Sequence, residues 1–498
     1  MIGVGAVFGV VVGIYLLSGS VRGLWNVFFH PLGYLPGPKS WIAFPILRQL
    51  ASTRGVFDAR MREFHRRYGD IVRFGPNEVS FINAQAWKDI YGQRPTQQLQ
   101  RFIVPAARHP ADIFNANEAD HARFRKALLP AFSQKGLQEQ EPILGSYVGQ
   151  LVDRLKEVAV SGAPTDMVEW YNWTTFDMIG DLAFGEPFGG LNDKRYHFLI
   201  PLLFESYRML AFLEAAASYP LLVKLLLTVM PTRVKEAKKH QMEHAEATVR
   251  KRLNNGSLHG RGDFMDAMLR NRGGKEGLTD PELVGNAAIL MVAGSETTAT
   301  VLSGLTFWLL RTPAALKRVT MEVRTAFESE ADIVFSSATA RLPYMLACIN
   351  EALRLYPPVP TGLQRLTPST GPVRICGHEI PANTKVSVHQ SAAYTSPANF
   401  HCPDLYVPER WLPEVKDDPS SPFYNDCRDV VQPFSVGPRD CIGRNLAYNE
   451  MRIIFARLLW NFDLELCQES ERWNHQRTYF LWEKPALMCK LRNRHGRE

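Results

Sequence analysis

The sequence predicts a mainly α-helical protein with a smaller β lobe, preceded by one apolar N-terminal helix. From about 117 to 330 the apolar residues recur with a helical period, whereas short strand-like runs lie between Gly and Pro turns in 71–81 and 359–390. The chain has 498 residues, of which 46% are hydrophobic. Large enzymes that mix helices and strands can still form one compact unit at this length. We therefore expect one large globular domain behind the N-terminal helix.

The N-terminal stretch 2–21 contains no charged residue and consists almost entirely of apolar residues, Gly and Ser. About twenty such residues are enough to cross the hydrocarbon core of a bilayer as a helix. A cleaved signal peptide is the alternative, but it needs a positively charged start, and no Lys or Arg precedes Arg22. Because the basic residues follow the apolar stretch, the positive-inside rule places the bulk of the chain in the cytosol. The prediction is a transmembrane anchor over 1–21.

The segment after the predicted anchor contains Pro31, Pro36 and Pro38. Proline fixes φ and lacks a backbone N–H, so it opposes helix formation. We predict a stiff Pro-rich linker over 22–38 and a globular domain over 39–498.

Composition limits the compartment and the classes of partner. Seven cysteines, an odd number without paired spacing, indicate a reducing compartment rather than a disulfide framework. The net charge of +7 is mild at this size. It permits contact with an acidic protein or an anionic membrane, and it is too diffuse to indicate nucleic acid.

A long helix is predicted over 280–311, because Thr279 and Glu282 form a capping-box pattern at its start. Its middle, 293–298, contains Gly and consecutive Thr residues, which are poor helix formers. Glu296 is an acid inside an otherwise apolar stretch and is costly to bury without a partner. Two interpretations are open: a kink with a solvated glutamate, or a site where the helix opens and a carboxyl and a hydroxyl pass protons.

Glu351 and Arg354 stand three residues apart on a predicted helix and can therefore pair on one face. An exposed ion pair of this kind contributes little to stability. The neighbouring residues are apolar, however, which favours a buried pair. Two short strands are predicted at the C-terminal end, over 462–467 and 486–491.

The segment 434–443 holds Cys441 in a loop bounded by Gly and Pro, with Arg439 two residues before the cysteine and a helix-like run after it. A thiol at a helix N-terminus beside a guanidinium should have a lowered pKa, because the helix dipole and the Arg both favour the thiolate. Thiolates bind soft metals and redox cofactors. The alternative is a buried structural cysteine in a turn.

Four motifs occur in fixed order: Ala-Gly-x-Glu-Thr-Thr at 293–298, Glu-x-x-Arg at 351–354, Pro-Glu-Arg-Trp at 408–411 and Phe-x-x-Gly-x-Arg-x-Cys-x-Gly at 434–443. With the N-terminal anchor they resemble the membrane-bound cytochrome P-450 superfamily of haem-thiolate monooxygenases. The resemblance covers essentially the whole chain after residue 36. The His-Ala-Arg-x-Arg stretch at 121–125 is similar to filamentous-fungal members of secondary metabolism.

The resemblance implies haem b (iron protoporphyrin IX) as the cofactor, with the Cys441 thiolate as the axial ligand of the iron, a ligand that favours O–O cleavage. Phe434 would pack near the sulfur, and Gly437 would permit the tight turn that aims backbone N–H groups at it. Four residues match positions that bind the haem propionates in the family: Arg439, His121, Arg125 and Arg365. At one of them, His121, the family usually has Trp.

The resemblance also implies a route for protons. Glu296 and Thr297 match the acid–alcohol pair that delivers protons to the O2 substrate, and Ala293 and Gly294 match the groove over the haem where O2 sits. Family members that rearrange substrates without O2 often lack the Thr, so its presence favours monooxygenation. A further matched set is structural rather than catalytic and would lock the core: Glu351, Arg354 and Arg410.

The implied reaction inserts one oxygen atom from O2 into a hydrophobic small molecule, with electrons from NADPH through NADPH-cytochrome P-450 reductase. Epoxidation, desaturation or ring rearrangement at the same haem is the alternative outcome. A haem-binding or electron-carrier protein without turnover is the alternative of another class. The anchor implies a single-pass protein of the endoplasmic reticulum membrane with its catalytic domain in the cytosol.

Two sets of residues are assigned to partners by the same resemblance. A basic face that would dock the acidic reductase consists of Arg123, Arg125, Lys126, Lys135 and Arg444. Phe- and Leu-rich segments that would line the substrate pocket are 100–114, 203–215, 289–297, 361–363 and 479–481.

Overall fold

A computed structural model describes most of the chain. The described residues are 4–94, 98–102, 112–195, 208–209, 211–215, 228, 243, 246–252, 260–270, 272, 274 and 276–494.

The described part is mainly helical, as predicted. Its helices, numbered in chain order, are α1 (Val4–Phe28), α2 (Lys39–Ala43), α3 (Ile46–Thr53), α4 (Phe57–Tyr68), α5 (Ala84–Tyr91), α6 (Glu118–Leu128), α7 (Gln134–Ser161), α8 (Met167–Phe184), α9 (Gly190–Asp193), α10 (Phe264–Leu269), α11 (Asp280–Leu310), α12 (Pro313–Ala326), α13 (Phe335–Arg341), α14 (Pro343–Leu355), α15 (Gln390–Tyr394), α16 (Pro413–Lys416) and α17 (Arg444–Asn461).

The strands form small sheets, which confirms the predicted β-rich part. They are β1 (Ile71–Gly75), β2 (Glu78–Phe81), β3 (Gln100–Arg101), β4 (Thr165–Asp166), β5 (Arg365–Leu366), β6 (Val373–Ile375), β7 (His378–Ile380), β8 (Lys385–Val388), β9 (Phe462–Leu466), β10 (Thr478–Tyr479), β11 (Leu481–Trp482) and β12 (Met488–Asn493). The main sheet has the order β1-β2-β8-β5-β3, in which β2 and β8 are parallel. A second sheet has the order β4-β12-β9, and β6-β7 and β10-β11 are hairpins. The two predicted C-terminal strands correspond to β9 and β12, which pair antiparallel.

Helix α11 runs through the core and packs against α8, α14 and α17. Its predicted capping box is present: the backbone N–H of Thr279 donates to Glu282 Oε2 at 2.8 Å. The helix is continuous through 293–298, so the predicted kink or opening does not occur in the backbone. Among the described residues, α11 is the helix with the length and hydropathy to cross a membrane, but most of it is buried inside the protein. It is therefore a core helix.

Helix α1 does not stop at Val21, where the predicted anchor ends, but continues to Phe28. The first seven positions of the predicted linker are therefore helical, and the helix ends shortly before Pro31, which has no N–H to donate. The end of α1 packs on α2. In this contact the side-chain amide of Asn26 donates to the backbone carbonyl of Ile42 at 3.5 Å. This contact fixes α1 to the globular part.

The Glu351–Arg354 pair is fully buried, which excludes the exposed alternative. Arg354 donates to both carboxylate oxygens of Glu351 at 2.7 and 2.9 Å. Arg410 donates to the same carboxylate at 3.1 Å, and Trp411 Nε1 donates to it at 2.8 Å. These four groups satisfy the buried charges and join α14 to the segment after β8, as the structural set was expected to do.

Candidate functional site

Cys441 lies in the loop 434–443, called the cysteine loop below, immediately before α17. The backbone N–H of Cys441 donates to the carbonyl of Phe434 at 2.8 Å, which closes the loop. Gly437 has φ +82°, and a Cβ at this position would collide with the backbone carbonyl of Tyr91. Glycine is thus required both for the turn and for the close approach of the loop to α5.

The thiol of Cys441 differs from the prediction. Burial raises the pKa of Cys441, and the opposing effects of the Gly443 N–H, Arg125 and Arg444 are smaller. Arg439, expected first as the neighbour that lowers this pKa, points elsewhere and donates to Glu118 at 3.0 Å. The predicted low pKa is therefore wrong, because loss of water around the thiolate outweighs the helix end and the nearby guanidinium groups.

Cys441 is solvent-accessible although it lies deep enough for burial to dominate its pKa. Ala293, in the middle of the core helix α11, is also accessible. Thr297 lies one turn later, is partly accessible, and donates from Oγ1 to the carbonyl of Ala293 at 2.6 Å. Accessible residues inside a packed core face internal space. Cys441, Ala293 and Thr297 are therefore the candidates for the lining of an internal site.

Glu296 does not accompany Thr297. Its side chain is 2% exposed and forms an ion pair with Lys484, whose side chain is equally buried. Lys484 also donates to Thr300 Oγ1 at 2.7 Å. Burial raises the pKa of Glu296, and the Lys484 cation opposes that effect. Glu296 and Thr297 are neighbours in sequence, but Glu296 is buried in an ion pair whereas Thr297 is partly accessible.

A group of cationic side chains gathers between β3, β5, α6 and the cysteine loop. Burial and then the nearby Arg439 and Arg125 lower the pKa of His121 to about 4. Burial and then Arg365 and Arg439 lower the pKa of Arg101 to about 9. Such mutual effects require short distances between like charges. The structure therefore brings together all four residues matched to the propionate positions and adds Arg101.

Arg101 was not identified from the sequence. Arg101 on β3 lies directly opposite Arg365 on the neighbouring strand β5. Two adjacent arginines repel each other unless an anion is shared between them. A single Arg in a two-residue strand does not predict which residue will lie opposite it, so its sequence alone could not identify this pair.

Among the described residues, three acidic side chains act on the cationic group: Asp112 beside Arg101, and the two that follow. Arg125 donates to Asp440 at 2.5 Å from Nη2 and to its backbone carbonyl at 2.8 Å from Nη1. Glu118 is the ion-pair partner of Arg439. Arg365 Nη1 is buried and has no hydrogen-bond partner within the part of the chain that the structure describes. Surplus buried positive charge with an unpartnered guanidinium nitrogen fits a ligand that carries two carboxylates.

The structure describes Phe434 and only parts of the predicted pocket segments. The ring of Phe434 is half-buried and packs on Tyr448, with centroids 5.2 Å apart. In 479–481, Tyr479 and Leu481 are buried on β10 and β11, and Phe480 between them has φ +75°. Parts of two predicted pocket segments, 103–111 and 203–207 with 210, lie outside the described residues.

Glu450 is a buried acid that sequence reasoning did not single out. It lies on α17, nine residues after the cysteine, and accepts a hydrogen bond from Thr298 Oγ1 on α11 at 3.1 Å. Its Oε1 is buried, and no described residue forms a hydrogen bond with it. Burial raises the pKa of Glu450 to about 8, so the carboxyl is largely protonated at neutral pH. The contact joins the helix that follows the cysteine loop to the middle of α11.

Replacement of Glu450 by glutamine should change how stability depends on pH. Between the unfolded pKa of 4.5 and the folded pKa of about 8, the folded protein binds more protons than the unfolded chain, so its free energy of unfolding falls as pH rises. From about pH 6 to pH 8 this loss is about 2 kcal/mol, and Glu450→Gln should lack it. Urea unfolding of both proteins at the two pH values measures the difference. Glu414→Gln, at an exposed position, is the control and should keep the pH dependence of the wild type. If the free energy of unfolding of Glu450→Gln depends on pH as it does in the wild type, the carboxyl is not buried in its protonated form.

Comparison with known proteins adds family evidence to this geometry. A family model described as Cytochrome P450 matches residues 35–491. The chain is 63% identical to the trichothecene C-4 hydroxylase of Trichoderma arundinaceum, over 99% of this chain and 98% of that protein. It is 55% identical to a cytochrome P450 monooxygenase of Penicillium canescens, over 96% of this chain and 97% of that protein. It is 43% identical to a cytochrome P450 monooxygenase of Metarhizium robertsii, over 97% and 94% of the two chains.

Proposed function

The chain belongs to the cytochrome P450 family, and from that premise we propose that it hydroxylates a trichothecene or a hydrophobic small molecule of similar skeleton. It is a haem-thiolate monooxygenase related to fungal enzymes of secondary metabolism, and such enzymes use O2 and a redox partner. The observation that carries the substrate proposal is the 63% identity to a trichothecene C-4 hydroxylase along almost the whole chain.

The cofactor is iron protoporphyrin IX held through a cysteine, which supplies O2 activation and transfer of one oxygen atom when it is bound. We assign Cys441 as the ligand. Two observations support it: Cys441 stands in a loop closed by its own backbone N–H, and its side chain is accessible. Because burial raises the pKa of the free thiol, the thiolate has to be sustained by the iron and the backbone N–H groups.

We propose that the cationic group holds the two propionates of the haem. Arg365 Nη1 has no hydrogen-bond partner among the described residues, and Arg101 and Arg439 supply positive charge beside it. His121, with a pKa of about 4, is neutral at pH 7 and would contribute a ring N–H rather than a charge. Arg125 is turned toward Asp440, so in its present geometry it supports the cysteine loop as well. Each guanidinium–carboxylate contact is a charge-assisted hydrogen bond in a partly buried place.

We assign direct proton delivery to Thr297. Glu296 would supply protons to Thr297 only after its ion pair with Lys484 opens. The hydroxyl of Thr297 faces the internal space and is oriented by its bond to the Ala293 carbonyl. Glu296 is held by Lys484 and Thr300, so it must leave this pair before it can exchange protons with Thr297. Thr297 is therefore the group that acts directly.

The substrate proposal is tested by binding and by product analysis. A trichothecene that carries hydrogen at C-4 should shift the spin state of the haem in the purified protein. NADPH turnover with a reductase should then convert C–H to C–OH, while the second oxygen atom leaves as water. A spin-state shift with an unrelated hydrophobic molecule and none with the trichothecene would overturn the substrate class. An olefin product or a ring-rearranged product would favour the alternative outcomes at the same haem.

We propose that NADPH-cytochrome P450 reductase is the electron donor and docks on the basic face. Lys126, Lys135 and Arg444 of that face are exposed. Lys126 pairs with Glu276 at 2.5 Å and Lys135 with Glu139 at 3.9 Å, both at the surface. Arg123 is engaged by Glu282 at 2.6 Å and contributes less to a docking surface. Docking steered by charge should weaken with salt, so NADPH-driven turnover should fall as ionic strength rises. Turnover independent of salt would contradict this docking mode.

We also propose that residues 1–21 anchor the protein in the endoplasmic reticulum membrane and that 39–498 form the cytosolic catalytic domain. Exposed apolar side chains continue from the end of α1 onto α2 and α3, and this surface is called the apolar patch. Its members are Leu24, Trp25, Phe28, Phe44, Ile46, Leu47 and Leu50. An exposed contiguous apolar surface of this kind favours contact with lipid.

Removal of residues 1–29 should convert an integral membrane protein into a peripheral one. The full chain should resist extraction with alkaline carbonate, because a spanning helix is needed for that. The truncated chain should still bind membranes through the apolar patch and should be released by carbonate. Adding Leu47→Asp and Leu50→Asp to the truncated chain should make it soluble. Release of the full chain by carbonate would contradict the anchor.

A further inference from the structure

Tyr91, the last residue of α5, connects three parts of the site. Its side chain is 3% exposed, and its ring packs on Trp87 with centroids 5.0 Å apart. It lies outside the four sequence motifs of the family.

The hydroxyl of Tyr91 uses both of its hydrogen-bonding capacities. It donates to the backbone carbonyl of Leu363 at 2.8 Å and accepts from the backbone N–H of Val388 at 3.1 Å. Burial raises the pKa of Tyr91 to about 12, so the hydroxyl keeps its proton at every working pH. The segment just before β5 and the end of β8 are therefore tied to one buried atom.

The ring of Tyr91 contacts the cationic group. The guanidinium carbon of Arg365 lies 5.4 Å from the ring centroid, within the range of a cation–π contact. The Nη1 atom of Arg365 is buried, and none of the described residues offers it a hydrogen-bond acceptor. The ring therefore helps to fix the position of the guanidinium group.

The backbone of Tyr91 contacts the cysteine loop. Its carbonyl oxygen occupies the space that a Cβ at Gly437 would need. The end of α5 and the cysteine loop therefore pack main chain to main chain, and movement of one is transmitted to the other.

We propose that Tyr91 is a positioning residue that holds Arg365 and the Leu363 wall of the pocket at a fixed height above the cysteine loop. The inference rests on the proposed function, in which Arg365 binds a haem propionate and 361–363 lines the substrate pocket. Loss of the hydroxyl leaves the Leu363 carbonyl and the Val388 N–H buried without a partner, so the segment between them is free to shift.

The test uses the purified holoenzyme and the variant Tyr91→Phe, which keeps the ring against Arg365. Transfer of haem to excess apomyoglobin should be roughly ten-fold faster than in wild type. The ratio of hydroxylated products from one substrate should also change, because the pocket wall moves. Tyr171→Phe is the matched control: it removes a buried hydroxyl that bonds Thr306 at 2.6 Å in another part of the core. It should leave haem transfer and product ratio at wild-type values.

Arg365→Met separates failure of this inference from failure of the proposed function. Faster haem transfer in Arg365→Met with wild-type behaviour in Tyr91→Phe would overturn the positioning role and leave the propionate assignment intact. Wild-type haem transfer in Arg365→Met would overturn the propionate assignment itself. Equal acceleration in Tyr91→Phe and Tyr171→Phe would mean general loosening of the core and would also overturn the inference.

Discussion

Cys441→Ala is expected to abolish haem-thiolate ligation and with it hydroxylation, a loss of roughly a thousand-fold or more. The thiol is accessible and lies just before α17, in a loop closed by the Cys441 N–H bond to Phe434. The purified variant should show no thiolate-type band in its CO-difference spectrum. It should also show no product from substrate, reductase and NADPH.

Cys489→Ala serves as the control for the loss of a cysteine. Cys489 is fully buried on β12, and its removal costs only local packing. Its CO-difference band should be that of wild type. A thiolate-type band retained by Cys441→Ala would refute the ligand assignment and would require another of the seven cysteines to bind the iron.

Thr297→Ala is expected to keep the haem and its spectrum while hydroxylation falls about a hundred-fold, the usual worth of a positioned proton donor. The Thr297 hydroxyl faces the internal space, whereas Glu296 is occupied by Lys484. Without that hydroxyl, reducing equivalents should leave as hydrogen peroxide rather than as product. Parallel measurement of NADPH consumed, peroxide released and product formed checks the outcome.

Thr297→Ser keeps a hydroxyl at the same position and should restore most of the coupling. Full coupling in Thr297→Ala would exclude the assigned role. A loss of haem in Thr297→Ala would instead show that the side chain serves the fold.

Local patterns predicted the elements that depend on neighbours in sequence. The capping box at Thr279 and Glu282 marked the start of α11 correctly, and the spacing of Glu351 and Arg354 predicted their pair. The direction of Glu296 could also have been deduced. Adjacent residues on an α-helix point about 100° apart, so Glu296 and Thr297 lie on different parts of the helix surface.

Contacts between distant segments could not be deduced in the same way. Lys484 meets Glu296 across 188 positions of sequence, and Arg101 meets Arg365 only through the β3–β5 pairing. The pKa of Cys441 was predicted with the wrong sign, because the helix end and nearby charges are visible in sequence and burial is not. Pairing and burial are properties of the folded chain.

The most direct test of the proposed reaction is turnover under O2 labelled with the heavy oxygen isotope. The purified protein, a reductase, NADPH and a trichothecene with hydrogen at C-4 are combined, and the product is analysed by mass spectrometry. Monooxygenation predicts one labelled oxygen atom in the new hydroxyl group and a second in water. A product whose new oxygen comes from unlabelled water, or substrate recovered unchanged while NADPH is consumed, would contradict it.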